Sequence, residues 1–353
     1  MKAARYYGQG DVRVEEVERP VCGPNDVEVE VAAAGICGTD LHEYTAGPIL
    51  IPDQVPHPAT GQTLPITMGH EFAGTVGKIG KEVDGVTRGS KVAVNPMLPC
   101  GDCRYCVSGN ENVCAQLGFI GLSGGGGGFA GSVVVPEQNV VEVPEAVPIK
   151  HAALTEPFAV GLRAVRSSAM RAGDSVAIIG AGPIGLTIVQ AAAVGGGCDI
   201  FVSEPQDQRR ELAISAGATH VFDPTESDLA SEVSTRTDGG VDVVFEVSGV
   251  EQGFIDAIDV CKHGGEVTLV ALHETPVKFN PTDIVIVDKH IRGTNVYAGG
   301  NRSGHDFGIV LNLFERNHFD PELLISDNVP LGQLTRIFEK YEERSPVKII
   351  VEP

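Results

Sequence analysis

The sequence predicts an α/β plus β protein of two domains, a small barrel-like β-domain and a doubly wound parallel sheet. Three observations carry that expectation. Up to about residue 150 the chain holds short β-type runs at 27–33, 72–79, 91–95 and 132–136, punctuated by Gly and Pro as in a barrel. From Ser175 apolar runs at 176–179, 200–203, 241–247 and 266–271 alternate with helical patterns at 183–194 and 209–216, which is the texture of βαβ units. From about Asn295 mixed strand and helix return, and the closing "PVKIIVEP" reads as a strand able to rejoin the first domain. At 353 residues the chain is long enough for two cores.

Charge narrows the partners. Lys+Arg of 26 against Asp+Glu of 47 leave a net charge of -21, which argues against nucleic acid or an anionic membrane as a partner. The acidic, lysine-poor composition, ten lysines against sixteen arginines, fits a salt-rich habitat and equally an ordinary acidic bacterial protein. The N-terminal "MKAARYYGQGDVRVEEVERP" has no apolar core of a signal peptide and alternates like a strand, so a cytoplasmic protein is expected. "VAIIGAGPIGLTIVQAAAV" from Val176 is apolar enough to suggest a membrane span, but its internal Gly-Pro reads as strand, tight turn and buried helix.

Two irregular stretches stand out in the first half. Five consecutive glycines, Gly124–Gly128, are too permissive for a regular element. A proline-rich loop lies between His42 and Met68, and its portion from Gly47 to Pro65 is expected to shape a substrate pocket.

Eight cysteines in a reducing compartment point to metal or catalysis rather than disulfides. "PCGDCRYCVSGNENVC" places Cys100, Cys103, Cys106 and Cys114 in the spacing C-x2-C-x2-C-x7-C, and four thiolates on one loop can close a tetrahedral zinc shell. Iron–sulfur motifs open the same way, but the Cys-Pro that follows their third spacing is missing. Cys22, Cys198 and Cys261 read as small buried residues, and His151, His220 and His318 as surface or packing histidines.

"VAIIGAGPIG" sets Gly180, Gly182 and Gly185, with Pro183 and Ile184 between them, at the end of an apolar strand and the start of a helix. That context supplies a tight turn, close approach to a pyrophosphate and a helix N-terminus for the anion. Glu204, nineteen residues after Gly185, would accept hydrogen bonds from ribose hydroxyls and repel a 2′-phosphate, so NAD is expected over NADP. Arg209 and Arg210 beside it are the residues able to tolerate a phosphate, and Val247 ends a later strand on the same sheet edge.

"MGHEFAGTVG" joins His70 to Glu71 without the second histidine of a zinc peptidase, since position 74 is glycine. Cys37 in "AGICGTDLHEY" and Glu156 in "ALTEPFAVGL" are the remaining donors. Cys37, His70 and one carboxylate would offer a catalytic zinc three ligands and leave a position open. Thr39 and His42, two and five residues past Cys37, can link the substrate oxygen to solvent by hydrogen bonds.

These motifs together, "AGICGTDLHEY", "GHEFAGTVGKIG", the four-cysteine loop and "GAGPIG", resemble the zinc-dependent medium-chain alcohol and polyol dehydrogenase family over essentially the whole chain. Within it "HEYTAGPILIP", "PHPATGQTLPITMGHEFAG" and "GLSGGGGGFAG" are most similar to the 2,3-butanediol dehydrogenase branch, with sorbitol and threonine dehydrogenases nearer than simple alcohol enzymes. The resemblance implies a GroES-like catalytic domain at 1–157 and 296–353 and a Rossmann NAD-binding domain at 158–295. It implies one catalytic zinc on Cys37, His70 and Glu156, one structural zinc on the four-cysteine loop, and Glu71 as a carboxylate that orients the site. One departure is visible: Gly131 and Ser132 stand where relatives carry an acidic residue and an aromatic, which bears on pocket shape.

The expected activity is oxidation of a vicinal diol to its hydroxyketone, or the reverse, with hydride passing to or from NAD and a proton passing from Thr39 to His42. Polyol, sugar or threonine oxidation on the same scaffold is the alternative, and a non-catalytic NAD-binding zinc protein the alternative of another class. Retention of Cys37, Thr39, His42, His70 and Glu156 together favours an enzyme. The resemblance implies pairing through the edge of the Rossmann sheet, so a homodimer or homotetramer is expected; "DIVIVDKHIRG" reads as such an edge strand and equally as a buried one.

Overall fold

The computed structural model describes residues 1–298, 301–341 and 346–353, with the backbone alone for 301–305. It divides into two compact units: Met1–Glu156 with Ala298–Asn317 and Ile325–Pro353, and Pro157–Tyr297 with His318–Leu324.

The first unit opens with β1 (Lys2–Gly8) and β2 (Asp11–Glu16), an antiparallel pair, followed by β3 (Asp26–Gly35). In β3 Val27, Val29 and Val31 turn inward while Glu30 and Ala32 face solvent, the period of two that makes a strand of "DVEVEVA". A helix, Gly38–Ala46, leads into the proline-rich loop, which ends at β4 (Ile66–Thr67) against β1. Next come β5 (Glu71–Ile79) and β6 (Lys91–Val94), then β7 (Met97–Leu98) and β8 (Gly118–Phe119), a short antiparallel pair that brackets the four-cysteine loop. β9 (Ser132–Pro136) and β10 (Val140–Glu142) complete this stretch.

The second unit is built on β11 (Ser175–Ile179), β12 (Asp199–Ser203), β13 (His220–Phe222), β14 (Val241–Glu246), β15 (Cys261–Leu269) and β16 (His290–Gly293). All run parallel in the order β13-β12-β11-β14-β15-β16. Helices cover the faces, so β11 and β12 are buried almost throughout and read as continuous apolar runs. The order reverses between β11 and β14, which creates the switch point where such sheets bind ligands.

The chain then returns to the first unit with β17 (Ile325–Pro330) and β18 (Lys348–Glu352). The larger sheet of that unit runs β10-β6-β5-β3-β18-β17, with β9 also on β3, around a core that includes Val29, Phe72, Phe129 and Ile349.

Two expectations need correction. "DIVIVDKHIRG" is not one strand: Thr282–Val285 is helical, and only His290–Gly293 forms the edge strand β16. Asn280 supplies the reason, its side chain accepting from the backbone N–H of Thr282 and starting a helical turn. Of the small cysteines only Cys261 is buried; Cys22 is half-buried and Cys198 is exposed in the turn before β12. Among the described residues no helix is long and apolar enough to cross a membrane, and the stretch from Val176 is β11, a turn and helix Pro183–Val194.

Candidate active site

β3 ends at Gly35, and Cys37 caps the helix that follows. The helix start is a capping box in which the Asp40 carboxylate Oδ2 accepts the Cys37 backbone N–H at 2.9 Å. The other oxygen of Asp40 lies 3.4 Å from Nδ1 of His70, an ion-pair approach without hydrogen-bond geometry. Asp40 thereby ties Cys37 to His70, which precedes β5. Glu71 is the first residue of β5, opposite Gly35 in the register. A side chain at Gly35 would collide with the Glu71 carboxylate, so that glycine makes room for the acid.

A sulfur of Cys37, a ring nitrogen of His70 and a carboxylate oxygen of Glu71 all lie within 4.8 Å of one another. Both oxygens of Glu71 also accept from Nζ of Lys348, at 2.7 and 2.8 Å, and the same ammonium donates to the carbonyl of Ile36 at 3.0 Å. Glu156 starts the helix Thr155–Ser167 and stands outside the 4.8 Å set, but it is 6% exposed and acts electrostatically on the same groups. Thr39 is half-buried with its hydroxyl 3.7 Å from the Cys37 sulfur, and His42 lies one turn further along the helix, exposed.

The charge balance says what this cluster accepts. Burial alone would drive the His70 ring neutral, yet the Asp40 carboxylate and the Cys37 sulfur hold its pKa well above the usual value. Lys348 behaves alike: burial pushes its ammonium down, and Glu71 and Cys37 outweigh it. Burial pushes the Glu156 carboxyl up to about 7. A thiol, an imidazole and buried carboxylates that favour positive charge among them are the donor set of a divalent cation, and they fit zinc.

The four cysteines of the loop bracketed by β7 and β8 converge as well. Their sulfurs are 3.4 Å apart for Cys100 and Cys114, 3.5 Å for Cys103 and Cys106, 3.9 Å for Cys100 and Cys106 and 4.0 Å for Cys103 and Cys114. These separations are far too long for disulfides and close to the ~3.8 Å edge of a tetrahedron with ~2.3 Å zinc–sulfur bonds. Backbone N–H groups of Ala115 and Cys106 bring the Cys103 thiol down to about 6, while burial raises Cys106 to about 12.

In the second unit Gly180 follows β11 with φ +100°, a conformation open to glycine. A side chain at Gly185 would strike the carbonyl of Gly180, and around Gly182 the space is open. Pro183 occupies the first helical turn and Ile184 follows it. Glu204 is buried just past β12, with Oε2 accepting the Ala181 N–H at 2.8 Å. Arg210 is held by the Glu204 carbonyl at 2.7 Å, by Asp223 at 3.0 Å and by Asp207. Arg209 is half-buried, with no partner for its Nε among the described residues. Val247 donates to the carbonyl of Ile179 at 3.0 Å, beside the glycine turn.

Three residues of the first site are absent from the sequence reading. Asp40 carries a local signal, an acid three residues after the cap. Lys348 is marked only by being a charge inside an apolar strand. Glu43 is buried on the same helix and accepts the N–H groups of Ile49, Leu50 and Ile51, fixing the start of the proline-rich loop.

Two outcomes are expected. Cys103→Ser should lower the melting temperature and release about one metal per chain, measured by thermal denaturation and elemental analysis; an unchanged temperature with full metal would count against a metal-holding loop. Glu156 binds more protons folded than unfolded between its ordinary value of 4.5 and about 7, so its burial destabilises the metal-free protein increasingly as pH rises through that window. Glu156→Gln should raise the melting temperature of metal-free protein at about pH 8 and leave it unchanged near pH 4.

Comparison with known proteins agrees with this chemistry. Residues 23–145 match the alcohol dehydrogenase GroES-like domain, and residues 183–316 match the zinc-binding dehydrogenase family. (R,R)-butanediol dehydrogenase of Bacillus subtilis (strain 168) is 40% identical over 358 aligned residues, covering 100% of both chains. The crystal structure of 2R,3R-butanediol dehydrogenase from Bacillus subtilis superposes with a TM-score of 0.92 at 39% identity, over 100% of this chain and 99% of that one. A putative zinc-binding dehydrogenase from Sinorhizobium meliloti 1021, bound to NADP, gives 0.90 at 32% identity, again over 100% and 99%. The chain belongs to the zinc-dependent medium-chain alcohol and polyol dehydrogenase family, oxidoreductases that act on CH–OH groups.

Proposed function

We propose that this protein interconverts 2,3-butanediol and acetoin, a vicinal diol and its hydroxyketone, with NAD. The observation that carries the reading is the buried cluster of Cys37, His70 and Glu71 donor atoms within 4.8 Å of one another, in a chain 40% identical to a butanediol dehydrogenase along its whole length. Cys37, His70 and Glu156 would hold a catalytic zinc, and Cys100, Cys103, Cys106 and Cys114 a structural one. Bound there, zinc would supply Lewis acidity toward a hydroxyl or carbonyl oxygen, and a nicotinamide would supply the hydride chemistry. Glu71, with both oxygens on Lys348, orients the site rather than ligating. The Thr39 hydroxyl would accept the proton of the substrate hydroxyl while giving up its own toward His42, which lies one turn on, exposed, and would release a proton to solvent.

Glu204 supports NAD over NADP, because a 2′-phosphate would meet a buried carboxylate and Arg210 is already engaged. Arg209 is left to approach the ribose. A cytoplasmic setting would keep the cysteines reduced for metal. Copies of the chain pair through β16, whose four residues, Ile291 among them, are exposed, with Leu272, Val285 and Ile286 as further exposed apolar residues in the same unit.

Initial rates of NADH formation with 2,3-butanediol, sorbitol, glucose and threonine should give the highest kcat/KM for butanediol; a higher value for another substrate overturns the diol assignment. Cys37→Ser should lower kcat/KM by more than about 100-fold and remove about one zinc while the fold persists. Glu204→Ala should narrow the preference for NAD, and wild type working better with NADP would refute that contact. Ile291→Lys should shift sedimentation toward the monomer, and an unchanged profile removes β16 as the interface.

A further inference from the structure

The carboxyl ends of β14 and β15 hold a pair of titratable residues that the chemistry above does not use. Glu246, the last residue of β14, is 0% exposed. Its Oε1 accepts from the backbone N–H groups of Ser248 at 2.8 Å and Gly249 at 3.0 Å, and from the Ser248 hydroxyl. Its Oε2 lies 3.0 Å from Nε2 of His273, and its backbone carbonyl accepts from Val270 and Ala271 at 2.9 and 3.2 Å. Gly253 leaves the space for this network, since a side chain there would strike the Ser248 hydroxyl.

One buried carboxylate therefore stitches the turn after β14 to the segment after β15. A carboxylate only accepts, so Nε2 is the His273 ring nitrogen that carries a proton toward Glu246. Nδ1 is buried with no partner among the described residues, and Phe254 stands edge-on to the ring at 6.2 Å. Glu246 is thus the partner that holds the polar side of the ring. The turn it shapes borders the glycine turn: besides the Val247 contact to Ile179, a Cβ on Gly180 would lie 3.2 Å from the Cα of Ser248. This is the switch point between β11 and β14, where the dinucleotide of such sheets binds.

We propose that His273, acting through Glu246, is a positioning residue for the nicotinamide dinucleotide; the inference rests on the reading that this unit binds one. Removing the ring leaves Oε2 of a buried carboxylate short of a donor. The carboxylate then turns from the amides of Ser248 and Gly249, and the turn at the crevice loses its fixed shape.

Fluorescence titration of NADH onto zinc-loaded wild type, His273→Ala and His273→Gln tests this, with melting temperatures and steady-state kinetics measured alongside. His273→Ala should weaken NADH binding and raise KM for NAD by about tenfold. Its kcat should change less than about twofold and its melting temperature by no more than a few degrees. His273→Gln keeps an N–H donor for Glu246 and should recover most of the affinity. Binding of NADH to His273→Ala as tight as to wild type overturns the proposal, as does a loss that the Gln variant fails to recover. Wild type that binds no NADH overturns the dinucleotide reading itself, and this inference with it.

Discussion

Buried negative charge around one imidazole is the constraint on which the first unit depends. Asp40, Glu71 and Glu156 are carboxylates withdrawn from water, and the Cys37 sulfur lies beside His70. Ionised groups in a low-dielectric interior are tolerated only when opposite charge or hydrogen-bond donors meet them. Lys348 meets Glu71, the Cys37 N–H meets Asp40, and the His70 ring is drawn toward its charged form. The sulfur, ring nitrogen and carboxylate oxygen that this packing brings within 4.8 Å of one another are a donor set of the kind a divalent cation takes.

The architecture follows from holding those groups together. Cys37 sits at the end of β3, Glu71 at the start of β5, and Lys348 at the start of β18, and these three strands are neighbours in the sheet. Gly35 leaves the gap into which Glu71 fits. In the second unit the chemistry gathers along one edge of a parallel sheet. There Gly180, Glu204 and Glu246 all lie at carboxyl ends of parallel strands.

Much of this is legible in the sequence because its signals are local. The cysteine spacing, the glycine triplet and the helix that starts at Pro183 each lie within a few residues, and backbone geometry leaves them little choice. Asp40 was within reach by the same logic, as an acid at the third helical position. Lys348 was not, since its partner is 277 residues away and neither residue marks the other. The edge segment misled for another reason: Asn280 turns a β-type apolar run into a short helix, a case of side-chain hydrogen bonding outweighing strand propensity. His273 and Glu246, joined across a whole βαβ unit, are likewise visible only in three dimensions.

The ion pair between Lys348 and Glu71 has a consequence for the order in which the protein is made. Synthesis runs from the N-terminus, so Cys37, His70, Glu71 and Glu156 all leave the ribosome long before the ammonium that neutralises Glu71 exists. Until β18 emerges and docks on β3, that acid has no counter-charge and belongs in water. The carboxylate of Glu71 therefore gains its ammonium partner only after residues 72–347, the whole of the second unit among them, have been synthesised.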